Sequence, residues 1–239
     1  MTAWMPYCGP GPVPAEWFAR WNWDPVLLGI FLLAAMAWRV WPERGDGRAA
    51  GGLLAVCLFL FVSPFCAMGS ALFLVRIVHD LILSVVVAPL AVAAFAMRKR
   101  AVPGTLAQWT AVHLVIFLAW HAPPFYSAAM SSDLSFWTMQ LTIAGSAVAW
   151  WAKLLDDKAA GAALSLLAAM VAMGLLGALL TFASHAFYAP HWLTAGAWGL
   201  SPLEDQQLAG IVMWAPAAAL YLLAAMTILY RGVLRERPQ

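Results

Sequence analysis

The five histidines are the side chains of this sequence best suited to chemistry. Neutral imidazole is a ligand for copper, zinc and iron, and a carboxylate, Asp80, directly follows His79. His113 and His121 are too far apart along one helix, about 12 Å at 1.5 Å per residue, to share an ion. A histidine metal site would therefore have to be built between helices, as helical bundles do.

Composition places this chain in a membrane. Its 239 residues are 64% hydrophobic and 10% charged, with a mean hydropathy of +0.81. Soluble domains are about 45–50% apolar and about 25% charged. Three cysteines, a net charge of +2 and no polar low-complexity tract exclude a disulfide-rich secreted scaffold, a nucleic-acid-binding protein and a disordered chain.

The predicted fold class is an all-α polytopic membrane protein, because a membrane-spanning helix needs roughly 20 mostly apolar residues. Seven segments fit, with charged or glycine-rich turns between several of them. They are residues 25–41, 51–68, 71–97, 105–121, 134–155, 159–183 and 205–230. Residues 25–231 would then form one seven-helix domain in the lipid bilayer.

Lysine and arginine set the orientation, since they concentrate in cytoplasmic loops. With the N-terminus outside, all but Arg20 and Arg76 of the 13 basic residues fall on the inner side. We therefore predict a multi-pass protein, N-out and C-in, in a bacterial-type inner (plasma) membrane. Residues 1–24 lack the basic start and apolar core of a signal peptide and would form an outer segment, and residues 232–239 a cytoplasmic tail.

This topology gathers every histidine except His113 at the outer face. Ionisable groups in a span cost roughly 2.5–3.5 kcal/mol on insertion scales, so they indicate a functional site. The predicted metal ligands are His79, His121, His185 and Asp205, the aspartate also holding a histidine's second nitrogen, with Asp80, His191, Met68 and Cys66 as a second tier. His113, near mid-membrane, is more often a satisfied core histidine.

Structural alternatives exist for several of these residues. Arg76 and Asp80 are four residues apart and could simply form an ion pair, with His79 as a bystander. His121 lies two residues before Pro123 and Pro124, and its role could be limited to capping the end of its helix. The loop that carries His185 and His191 could be plain interfacial surface.

Two further features have structural interpretations. Ser201, Pro202 and Glu204 form a capping-box pattern, which explains them without a function but leaves Asp205, Gln206 and Gln207 unexplained. Cys8 and Cys66 could form a disulfide in an oxidising compartment or donate to a metal. We favour an unpaired, structural role for them.

Two longer stretches and one short one carry a likeness to a known family. They are Trp-Gly-Leu-Ser-Pro-Leu-Glu-Asp-Gln-Gln at 198–207, Trp-His-Ala-Pro-Pro-Phe-Tyr at 120–126, and His-Asp-Leu-Ile-Leu at 79–83. They resemble the CtaG-type cytochrome c oxidase assembly factor family over roughly the second to seventh spans. The positions carried over are His79, His121, Glu204, Asp205, Gln206 and Gln207. The chain departs from the family pattern at Val75 and near Gln140, where the resemblance implies further histidines.

The resemblance implies an assembly factor for a haem–copper oxidase, not an enzyme. It would hold or deliver copper to an oxidase subunit at the outer face, or act as a chaperone-like scaffold for that subunit. The alternatives are a haem-binding redox protein with two axial histidines, a transport protein with His113 as a relay, and a scaffold that binds no metal.

Overall fold

The structure is a computed structural model that describes residue 4 and residues 6–40, 45–99 and 102–236, without the side chains of residues 99 and 233–236. Regular structure in this part of the chain is entirely helical. The α-helices are α1 (Pro25–Val40), α2 (Gly47–Phe61), α3 (Pro64–Ala71), α4 (Phe73–Ile82), α5 (Ala88–Ala94), α6 (Leu106–Trp120), α7 (Pro123–Ala129), α8 (Asp133–Leu154), α9 (Ala159–Thr181), α10 (Pro202–Trp214) and α11 (Pro216–Glu236). The end of the first predicted span and the last three residues of the predicted tail lie outside the described residues.

Among the described residues, three helical stretches are long and apolar enough to cross a membrane: Phe73–Ala94, Ala159–Thr181 and Pro202–Gly232. The α2–α3 pair, bent by 46°, counts as a fourth if it is one span. The all-helical class is confirmed, and apolar helices compatible with a membrane are present. Seven spans are not confirmed. The α1 and α6 helices are apolar but shorter, and α8 is long enough but not apolar enough. Pro64 also starts a new helix, capped by Ser63, within the second segment.

The helices form a ring in which α4 contacts α10, α10 packs on α9, α9 on α6, and α6 on α8. The α5 helix contacts both α2 and α8 and extends the ring. The α9–α10 crossing is close at Gly177 and Gly210, where an added Cβ would lie 2.8 Å and 2.6 Å from the carbonyl oxygen of the other glycine. Small residues permit such close approach between membrane helices.

A π-helical segment, Leu83–Val87, joins α4 to α5. Pro89 follows it and has no backbone N–H, so a carbonyl one turn earlier loses its helical partner. The Ser84 carbonyl instead accepts a 2.7 Å hydrogen bond from the indole Nε1 of Trp151 on α8. This bond fixes α8 against the α4–α5 unit, and α4 carries half of the candidate site residues.

The N-terminal segment is tied to the helices at several points. Cys8 and Cys66 form a disulfide, with Cα atoms 5.5 Å apart, so the expectation that they are unpaired is wrong. The Tyr7 hydroxyl donates to Asp24 at 2.5 Å, and this bond lowers the pKa of the Asp24 carboxyl. Trp198 Nε1 donates to the Pro12 carbonyl at 2.9 Å. The segment therefore lies over α3 and the loop before α10.

Breaking the disulfide should loosen this segment. We expect Cys8→Ser to raise the rate of trypsin cleavage after Arg20 by roughly tenfold or more, because a disulfide of this kind contributes about 2–4 kcal/mol. Cys57→Ser is the matched control, since Cys57 is a free, half-buried thiol on α2. Equal cleavage of both variants would show that the other contacts hold the segment without the disulfide.

Candidate functional site

Buried polar side chains collect around α4. They come from α3, α4, α8 and the end of α6, and each is at most 3% exposed. We call this set the polar cluster, and its members are Ser70, Arg76, His79, Asp80, His121 and Gln140. Polar groups are seldom buried without partners, so the contacts of each member bear on function.

Asp80 lies between two imidazoles. Its Oδ1 is 3.4 Å from His79 Nδ1, and its Oδ2 is 3.9 Å from His121 Nε2. His121 Nδ1 lies 2.7 Å from the Phe117 carbonyl oxygen and must be the protonated nitrogen, because a carbonyl only accepts. In neutral His121 the Nε2 lone pair therefore faces a carboxylate oxygen.

His79 is enclosed by aromatic rings. The Phe61 ring meets it edge-on at 5.1 Å, and the Phe65 ring lies parallel at 6.3 Å between centroids. The backbone of Leu60 also approaches the imidazole, but Nε2 makes no hydrogen bond in the described structure. One imidazole nitrogen thus faces Asp80 and the other has no hydrogen-bond partner.

Arg76 does not form the ion pair that its spacing from Asp80 suggests. No Asp or Glu oxygen among the described residues lies within 4.0 Å of its guanidinium. The guanidinium carbon sits 5.1 Å from the centre of the Phe136 ring on α8, a cation–π contact. Sequence reasoning missed Arg76 and Gln140 as site residues; the available signal was an arginine alone in an apolar span.

Asp205 caps a different helix from its own. Its carboxylate oxygens accept from the backbone N–H groups of Phe73 at 2.7 Å and Leu74 at 3.0 Å, at the start of α4. The N-cap residue of α4 is Leu72, which has no side chain that could do this. Asp205 was expected to hold a histidine nitrogen, and the structure places it on backbone instead, where it fixes the helix that carries His79 and Asp80.

The other polar residues at the start of α10 also have structural roles. Ser201 and Glu204 form the capping box with Pro202 at the start of α10. Gln206 accepts from the Phe187 N–H at 2.6 Å, and Gln207 donates to the Ala183 carbonyl at 3.2 Å. Both amides thus hold the loop that follows α9.

The remaining predicted ligands lie apart from Asp80. His185 is exposed, with its ring edge-on to Phe187. His191 Nε2 lies 2.6 Å from the Tyr126 hydroxyl oxygen, and burial lowers the pKa of His191 to about 3, so it is neutral near pH 7. Met68 packs among apolar residues around Val75, and the Cys66 sulfur is bonded to Cys8 in the disulfide.

His113 belongs to a second buried group, away from the polar cluster. Its Nδ1 lies 3.0 Å from the Ser146 hydroxyl, and its ring stacks on Trp150 at 5.2 Å. Trp150 Nε1 donates to Ser165, which also bonds Thr110. This chain of contacts between α6, α8 and α9 packs His113 in the core, but its Nε2 has no hydrogen-bond partner among the described residues, so the expected satisfied histidine is only half satisfied.

A closed metal site is not present in the described part of the chain. No three His, Cys, Asp or Glu side chains there converge closely enough to hold one ion. The polar cluster places Asp80 between two imidazoles, at 3.4 Å from His79 Nδ1 and 3.9 Å from His121 Nε2.

The fold and the cluster define an apolar helical bundle with a buried, partly unpaired set of ionisable groups. Residues 27–234 match the model of a protein family described as cytochrome c oxidase caa3 assembly factor. The chain belongs to this family, which identifies it as a cytochrome c oxidase assembly factor and implies association with the oxidase. No curated protein and no solved structure matches it significantly.

Proposed function

We propose that this assembly factor holds one copper ion between Asp80 and His121, with His79 as a further donor, and passes it to an oxidase subunit. The observation that carries the proposal is the 3.9 Å separation between His121 Nε2 and Asp80 Oδ2. The role breaks no covalent bond, so the protein acts as a carrier and not as an enzyme.

Two acceptors face each other across that separation. His121 Nδ1 is the protonated nitrogen, so neutral His121 presents a lone pair and Asp80 a carboxylate oxygen. A proton or a metal ion between them turns this unfavourable contact into a favourable one. Zinc binds both donor types at about 2.0–2.2 Å, so a comparable ion would need the two atoms about 4 Å apart or closer.

Copper is the favoured ion because imidazole is one of its common ligands and because the family assembles a cytochrome c oxidase. The small number of donors supports temporary holding. His79 lies on the other oxygen of the same carboxylate and can complete the set by a modest movement. His185 and Asp205 are left out of this proposal, because one is exposed and the other caps α4.

The test counts copper retained per chain. Purified protein is loaded with Cu(I) under reducing conditions, desalted and analysed for metal, beside His121→Ala, Asp80→Asn and the matched control His185→Ala. We expect about one copper in the wild type and in His185→Ala, and a loss of roughly tenfold or more in affinity in the other two, as for loss of a ligand. Near-wild-type elution and melting would show that each variant is folded.

Either of two results would overturn the copper proposal. Wild-type protein that retains no copper would leave a metal-independent scaffold as the function. Copper retained equally by all four proteins would place the ion elsewhere on the chain.

A further inference from the structure

The Arg76 guanidinium is a buried charge without a partner. It is fully buried, and neither Nε nor either terminal nitrogen makes a hydrogen bond within the described residues. A buried charge left uncompensated destabilises a fold by more than a cation–π contact stabilises it. The site therefore calls for an acceptor that the neighbouring side chains do not provide.

The nearby carboxylates are already engaged. Asp80 is turned toward His79 and His121, and Asp205 accepts from two backbone N–H groups at the start of α4. The backbone packs closely on another side, because a Cβ added at Gly69 would lie 2.9 Å from an Arg76 terminal nitrogen. No acceptor within the described residues forms a hydrogen bond with the Arg76 guanidinium.

Further unpaired donors come from the helices around Arg76. The Ser70 hydroxyl, next to Gly69 on α3, makes no hydrogen bond. Gln140 is 2% exposed with both amide atoms unpaired. It lies one helical turn beyond Phe136, the residue on α8 that contacts the guanidinium. Guanidinium, amide and hydroxyl are all groups that can donate to one anion.

We propose that Arg76, Gln140 and Ser70 form a binding site for a small monovalent anion, for which chloride is the probe. Burial of all three side chains favours an ion of this size over the carboxylate of a partner protein. The proposal does not depend on copper.

The test measures binding of radioactive chloride to copper-free protein, with gluconate replacing chloride at constant ionic strength. We expect saturable binding of about one chloride per chain, lost in Arg76→Gln and unchanged in Arg20→Gln. Arg20 is the matched control because it is exposed and pairs with Glu16. Copper is absent throughout, so the result is independent of the copper proposal.

If Arg76→Gln does not fold, Gln140→Leu decides the question. This variant keeps the guanidinium and removes one donor, and we expect chloride affinity to fall about tenfold, as for the loss of one hydrogen bond to a charged group. Absence of saturable binding in the wild type, or wild-type affinity in Gln140→Leu and in any folded Arg76→Gln, would overturn the proposal.

Discussion

Asp205→Ala should lower the free energy of unfolding by about 3 kcal/mol. The Asp205 carboxylate accepts from the backbone N–H groups of buried Phe73 and half-buried Leu74, and a buried group left unpaired costs about 1–3 kcal/mol. The loss falls at the first turn of α4, one turn from Arg76 and two from Asp80. We therefore expect thermal unfolding at a lower temperature, together with weaker copper retention.

Glu204→Ala is the matched control for this prediction. Glu204 is the adjacent acidic residue on α10, but it is exposed and bonds only within its own capping box. Its removal should cost about 1 kcal/mol, as for the loss of a helix cap. Asp205→Asn keeps one acceptor oxygen and should fall between the two. Equal melting temperatures for Asp205→Ala and Glu204→Ala would contradict the assigned role of Asp205.

The fold class could be predicted from composition and apolar run length, and the structure is all-helical. The positions and kinds of helix breaks were harder to predict from the sequence. Pro64, Pro89 and Pro216 interrupt long apolar segments in different ways, through a 46° bend, a π-helical segment and a new helix start. Hydrophobicity alone does not distinguish these outcomes, because they depend on which neighbour satisfies the freed carbonyl, as Trp151 does for Ser84.

The candidate site was predicted only in part. The structure brings together His79, Asp80 and His121, but leaves His185 exposed. The predicted topology places all the outer histidines on one side of the membrane. It does not specify which of their side chains are in contact. That depends on the approach of Asp80 on α4 to His121 at the end of α6.

The polar residues at the start of α10 could be recognised in the sequence, but their contacts could not. Their motif is specific enough to suggest a family, yet Asp205, Gln206 and Gln207 bond to backbone groups far away in sequence. Their partners lie in α4 and in the loop after α9. Such contacts leave no local spacing signal, so a ligand role and a capping role look alike in the sequence.

The second large effect concerns the oxidase itself. If the assembly factor supplies copper through Asp80 and His121, cells with His121→Ala as their only copy should make an oxidase with copper reduced about tenfold, as expected for a lost ligand. His185→Ala should leave oxidase copper near the wild-type amount, because His185 is outside the polar cluster. Membrane levels of both variants are compared by immunoblot, so that loss of the assembly factor is not mistaken for loss of its copper site.

The most direct test of copper supply through Asp80 and His121 is therefore the copper-to-haem ratio of the oxidase purified from these strains. We expect a ratio near the wild-type value with His185→Ala and a strongly reduced ratio with His121→Ala, at equal amounts of assembly factor. A full complement of copper in the oxidase from the His121→Ala strain would contradict it.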